Sequence, residues 1–148
     1  MAEPVKAAID FQNFVVPKVE YSVSPNALAE NASPDVEIAH RVDFAPDGEF
    51  DFLVVYNIKA TIPKNLRLEV EAIAFFRSAL PIDENIRESA IVRINAVAIG
   101  FPFLRSFIAT LTANTGFPRM MLPTMNLQAV SKPLAKEPQN SIEDSPAE

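Results

Sequence analysis

The chain has 148 residues, 49% of them hydrophobic, and a formal charge of −6. That composition suits one domain with a sizeable core, and its acidic balance repels phosphate backbones and anionic lipid surfaces, so a basic partner fits better than nucleic acid or a membrane. No run approaches the roughly 20 apolar residues of a membrane span, and the stretch from Met1 to Asp10 lacks the basic and apolar regions of a signal peptide; the expectation is a cytoplasmic protein without stable membrane insertion.

Four consecutive segments alternate apolar and polar residues with the period of two that half-buried strands require. The first sets Phe11, Val15, Val19, Tyr21 and Val23 against Gln12, Lys18, Glu20 and Ser22, with Pro17 marking an edge or a bulge because proline cannot donate to a ladder. The second sets Val36, Ile38, Val42 and Phe44 against Glu37, Arg41 and Asp43, and ends at the turn Ala45-Pro46-Asp47-Gly48. The third places Phe50, Phe52, Val54, Tyr56, Ile58 and Ile62 opposite Glu49, Asp51, Asn57, Lys59 and Thr61, before Pro63-Lys64-Asn65 turns the chain. The fourth places Leu66, Leu68, Val70 and Phe76 opposite Arg67, Glu69, Glu71 and Arg77. Short connections predict an antiparallel meander with one packed face and one wet, acidic face.

Residues Asp83 to Ala90 suit a short helix capped by Asp83, whereas the β-branched run Ile91-Val92-Arg93-Ile94 suits either helix or strand. A main helix is expected from about Pro102, with Phe103, Leu104, Phe107, Ile108 and Leu111 at helical spacing and Gly116 as its stop. From Phe117 to Val130 two prolines discourage continuous helix, while the apolar residues need cover. Residues 1–8 read as an N-terminal arm, 9–130 as the folded domain, and 131–148, proline-rich and polar, as a flexible tail.

The order and spacing of Gly100-Phe101-Pro102-Phe103-Leu104-Arg105, a helix, Gly116-Phe117-Pro118 and Leu122-Pro123-Thr124-Met125-Asn126-Leu127 resemble the signature region of SecB-type export chaperones, and the strand layout extends the resemblance over about residues 9 to 130. It implies an α+β fold: an antiparallel four-stranded sheet with a main C-terminal helix and a short preceding one, assembled as a dimer of dimers. It also implies ATP-independent holding of unfolded polypeptide clients, without a cofactor, and delivery of preproteins to the SecA motor. A protein of the same fold dedicated to one client, such as an antitoxin or a phage or host protein, is the alternative. The sequence departs from better-known members at Arg119, in the link from Asp83 to Ile99 and in its tail.

The residues themselves offer little catalytic chemistry. There is no cysteine, which removes disulfides, thiolate catalysis and cysteine-based zinc sites. The single histidine, His40, sits mid-strand on the apolar parity, where a buried or interface role is expected. Glycine only at positions 48, 100 and 116 cannot build a phosphate-cradling loop. The pairs Glu69 and Glu71, and Glu49 and Asp51, read as a solvated sheet face in the absence of a histidine partner or a pocket. The expectation is a protein that is not an enzyme.

Apolar residues are the more informative surplus. Phe75 and Phe76 are adjacent on a strand and must point to opposite sides of the sheet. Ile73 and Phe75, with Leu53 and Val55, occupy the otherwise charged parity and predict a patch for an oligomer contact, a client or the chain's own C-terminal segment. Methionine adapts to varied partners, so Phe75, Phe101, Phe103, Phe117, Met120, Met121 and Met125 are the candidate wall of a client groove. Glu20, Glu37, Glu69 and Glu71 are the candidate acidic face for a motor.

Overall fold

The computed structural model of the protein describes residues 8–25, 33–46, 48–116, 119–122 and 132–133. Four strands, β1 (Ile9–Val23), β2 (Asp35–Phe44), β3 (Asp51–Ile62) and β4 (Leu66–Ser78), form an antiparallel sheet, followed by a short helix α1 (Glu84–Arg87) and a long helix α2 (Val97–Asn114). This is the expected α+β architecture, but the sheet order is β1-β4-β3-β2 with a two-residue strand β5 (Lys132–Pro133) beyond β2. Only β2, β3 and β4 form a meander. β1 pairs with β4 instead of β2, and the chain between Val23 and Asp35 is longer than either hairpin connection, Phe44 to Asp51 or Ile62 to Leu66. In the second turn the Asn65 amide donates to the Ile62 carbonyl at 3.0 Å, with Pro63 at the first central position and Lys64 at φ 68°.

Alternation holds along β3 and β4, whose inner residues Phe52, Val54, Tyr56, Ile58, Leu68, Val70 and Phe76 make the core. β1 departs from strict parity. Register shifts between Phe11 and Asn13 and between Val15 and Lys18 bring Phe11, Phe14, Val16 and Tyr21 to the core side and leave Val15 opposite Ile73 on the outer side. Pro17 therefore lies in a bulge on an edge strand, the two positions a sheet tolerates for proline.

Asp83 caps α1 by accepting from the Ile86 amide at 2.9 Å. The stretch Ile91–Ala96 is not extended. It coils in π-helical turns that bury Val92 and Ala96 and run directly into α2. The main helix thus begins five residues before Pro102, which sits inside it on the exposed side. Interior proline costs a helix about 3 kcal/mol, and burial of Val97, Gly100, Phe101 and Leu104 against the sheet outweighs that cost. Gly116, at φ 82°, ends the helix as expected. Taken together, Ile91–Asn114 is long and apolar enough to cross a membrane, with a mean hydropathy of 1.5 over its best window, which corrects the expectation that no such run exists. Here its apolar stripe, including Leu104 and Ile108, packs on the sheet.

Helix and sheet approach closely at one point. Tyr56 donates from its hydroxyl to the Val97 carbonyl at 2.6 Å, and a Cβ at position 100 would collide with that hydroxyl, so Gly100 is required for the contact. Burial pushes the Tyr56 phenol well above its ordinary value, keeping it a neutral donor.

Candidate functional site

Among the described residues, those expected to wall the groove do not share one surface. Phe101 is core, packed beneath α2, and Met120 is half-buried against the same cluster. Phe75 lies on the opposite face of the sheet from α2. Phe117 and Met125 fall outside the described residues. Phe103 and Met121 remain, 44% and 50% exposed on the helix side. The correction for Phe101 is one of phase: at helical spacing Val97, Phe101, Leu104 and Ile108 share the stripe that meets the sheet, which turns Phe103 outward.

Phe103 stacks on Phe11 with centroids 4.5 Å apart and lies 5.8 Å from Phe14, forming a half-open aromatic cluster between α2 and β1. Further along α2, Arg105, Ser106, Ala109, Arg119 and Met121 line an open groove of about 490 Å³. The segment forming its far wall is tied to the helix, for Arg105 Nε donates to the Leu122 carbonyl at 2.7 Å and the Met120 amide donates to Thr112 Oγ1 at 2.8 Å. Leu122 is fully buried and Met121 half exposed, and the rest of the apolar stretch from Phe117 to Val130 that needs cover, apart from Arg119 and Met120, lies outside the described residues. Pro102, Ser106, Ala109 and Ala113 form a stripe of small residues along the groove, spaced to lie on one side of the helix. Sequence reasoning missed this stripe, although its spacing is its signal.

The strand register places the other set of residues on the outer sheet face. Glu20, Glu69, Lys59 and Glu37 lie in one row across β1, β4, β3 and β2, with Lys18, Glu71 and Asn57 in the next. All four predicted glutamates share this face, but it is of mixed charge rather than purely acidic. Glu69 is held by Arg67 at 3.1 Å and Lys59 at 3.7 Å, and its side chain is only 18% exposed. The hydrogen bond from Arg67 holds the Glu69 carboxyl below the ordinary carboxylate range. Lys18 reaches Glu20 at 4.0 Å. Glu37 is exposed and Glu71 half-buried, each without an ion pair among the described residues. Beside this band Leu53, Val55, Ile73 and Phe75 do come together, joined by Val15.

A sheet covered on one side by a long helix thus carries apolar side chains that are partly exposed on both layers. Residues 16–136 match the family described as preprotein translocase subunit SecB. The chain belongs to the SecB family. It is 30% identical over 133 residues to the protein-export protein SecB of Anaplasma phagocytophilum, covering 82% of this chain and 83% of that one. It is 29% identical over 133 residues to an uncharacterised protein of Methanocaldococcus jannaschii, covering 86% and 84%. Among solved structures, a SecB-like chaperone of Mycobacterium tuberculosis, in complex with a peptide from an antitoxin, superimposes with a TM-score of 0.64 at 17% identity, over 80% of this chain and 88% of that chain. SecB membership assigns the chain to a class of chaperones associated with protein export.

Proposed function

We propose that this SecB-family chain is an ATP-independent holdase that binds unfolded polypeptides in the cytoplasm as a dimer of dimers. The observation that supports it most is the pair of exposed apolar sites on the helix side, Phe103 in its aromatic cluster and Met121 on the groove, in a chain of a chaperone family. Each such site binds weakly once association and ordering costs are counted. Repetition across an oligomer raises the effective concentration, which favours long unfolded chains over short peptides. The small-residue stripe from Pro102 to Ala113 supports assembly, since small side chains let two helices approach closely.

Delivery of clients to the SecA motor is part of this reading, with Glu20, Glu37 and Glu71 as the carboxylates most available to a basic surface and Glu69 held back by its own cations. A second reading, service to one dedicated client, draws on the mycobacterial fold relative and its antitoxin peptide. The direct test replaces Phe103 and Met121 by serine together. Both are surface side chains, so the fold should persist by circular dichroism. Suppression of aggregation of a chemically unfolded enzyme should fall severalfold, with no change on adding ATP in either protein. Unchanged holding by the folded double variant would remove the helix side from the mechanism.

A further inference from the structure

The groove beside α2 is cationic in a chain of net charge −6. Arg105 and Arg119 stand on its wall with Ala109, Ala113 and Met121, and among the described residues no carboxylate lines it. Arg119 is exposed and makes no ion pair among the described residues. Arg105 is half-buried and commits its Nε–H to the Leu122 carbonyl, which leaves the remaining donors of its planar guanidinium for a carboxylate.

A second copy's helix does not answer this charge. The whole run Ile91–Asn114 contains no aspartate or glutamate, so two such helices laid together along their grooves would bring arginine towards arginine, a juxtaposition that opposes association. The occupant that suits the groove brings carboxylates, and the chain carries such a segment. Beyond Pro133, residues 134–148 hold Glu137, Glu143, Asp144 and Glu148 against Lys136 alone. Within Ile142-Glu143-Asp144 a large apolar side chain is followed directly by two carboxylates, matching a wall of one methionine and two arginines. Reach is sufficient: Leu122, at the groove, and Lys132, beside β2, are ten residues apart, and so are Pro133 and Glu143. The chain can therefore return over the distance it has just covered, at about 3.3 Å per extended residue.

We propose that residues 142–144 dock in the arginine groove of their own chain and compete there with the α2 of a second copy. Glu143 lies on Arg119, Asp144 on Arg105 and Ile142 against Met121. Exposed ion pairs are individually weak, but the tether holds the segment at an effective concentration on the order of millimolar, so the groove is filled reversibly. Docking stands on the groove and the segment alone, whereas the competition deepens the assembly reading above and rests on it.

The chain has no cysteine, so Ala113→Cys with Ser141→Cys places two thiols beside the contact without touching the arginines, Met121 or residues 142–144. Mild oxidation of this full chain should give an intramolecular disulfide, read on denaturing gels without reductant. Its yield should fall about threefold in high salt, and about threefold on adding either Arg119→Gln or Glu143→Gln with Asp144→Asn. Arg119→Glu should lower it further, and Glu143→Arg added to Arg119→Glu should restore it. A yield that none of these charge changes moves, or linkage only between two chains, overturns the docking. Light scattering on the cysteine-free chain then reads the competition: Glu143→Gln with Asp144→Asn frees the groove and should let assembly begin at about threefold lower concentration. Assembly that is unchanged or weakened in that variant overturns the competition. If the disulfide responds as expected while no variant assembles at any concentration, the docking stands and the assembly reading fails.

Discussion

The inner and outer faces of β3 and β4 are made by alternate residues of the same two strands, and both are rich in apolar side chains. They differ in size pattern. Inward, large residues such as Tyr56 and Phe76 alternate with Ala60, Ala72 and Ala74, leaving room for α2 to settle, and all five are at most 1% exposed. Outward, Leu53, Val55, Ile73 and Phe75 stand side by side with no small residue among them and with charged rows beyond. Hydrophobicity alone would give the sheet two equivalent faces. The alanines and Gly100 decide which one receives the helix, because interiors are packed to the density of organic crystals and a helix seats only where volume has been left for it.

Neighbouring phenylalanines offer the largest expected effect by which to break that comparison. Phe76 stacks on Phe52 at 5.3 Å and meets Phe11 edge-on at 5.7 Å beneath the helix. Phe76→Ala should lower the unfolding free energy by about 3–5 kcal/mol, and Phe75→Ala, half-buried on the outer face, by about 1 kcal/mol. Urea unfolding of the two single variants measures the difference. Similar losses would mean that the outer face is as tightly covered as the inner one, and Leu53, Val55, Ile73 and Phe75 would then be core.

Gly100 tests the same contrast on a smaller scale. A Cβ there would strike the Tyr56 hydroxyl and lie 3.0 Å from Ala74 Cβ, so Gly100→Ala should cost about 1–3 kcal/mol despite alanine's better helix propensity. Adding Tyr56→Phe removes the clashing oxygen together with its hydrogen bond to Val97. The double variant should therefore melt above the Gly100→Ala single variant. If Gly100→Ala raises the melting temperature, the helix does not sit as closely on the sheet as described.

Much of this fold was legible in the alternation. Strands two to four, their turns, the opposed directions of Phe75 and Phe76, the Asp83 cap and the Gly116 stop follow from local chemistry. What was not legible depends on long-range pairing. No local rule tells β1 to cross to β4, and the bulges that turn Phe14 inward and Val15 outward exist only relative to a partner strand. Pro102 invited a helix start because local preference favours proline there, whereas the helix position is set by burial of Val97 and Phe101. The candidate site was legible in kind and not in place: the apolar surplus and the glutamates on one face are present, but Phe75, Phe101 and Met121 occupy three different surroundings.

The smallest expected effect concerns His40, which sharpens the comparison at the edge of the inner face. His40 lies between Ile38 and Val42 on the inner parity of β2, opposite Tyr56 in the register, and is half-buried. Burial pushes its imidazole below the ordinary histidine value, so the folded state binds this proton less readily than the unfolded chain. Stability from this group is therefore complete above the unfolded histidine value of about 6.5. It declines as pH falls from there towards the lowered folded value, and levels off below it. Because the ring is partly exposed, the loss should be small, about one to two degrees of melting temperature between pH 7 and pH 5. His40→Gln keeps a polar side chain of similar reach without a proton equilibrium in this range, and should flatten that part of the profile while leaving the steeper decline below pH 5, where carboxylates such as Glu69 take up protons. A profile between pH 7 and pH 5 that keeps its slope in the His40→Gln variant would show that the ring is as well solvated when folded as when unfolded, and that the inner face ends before β2.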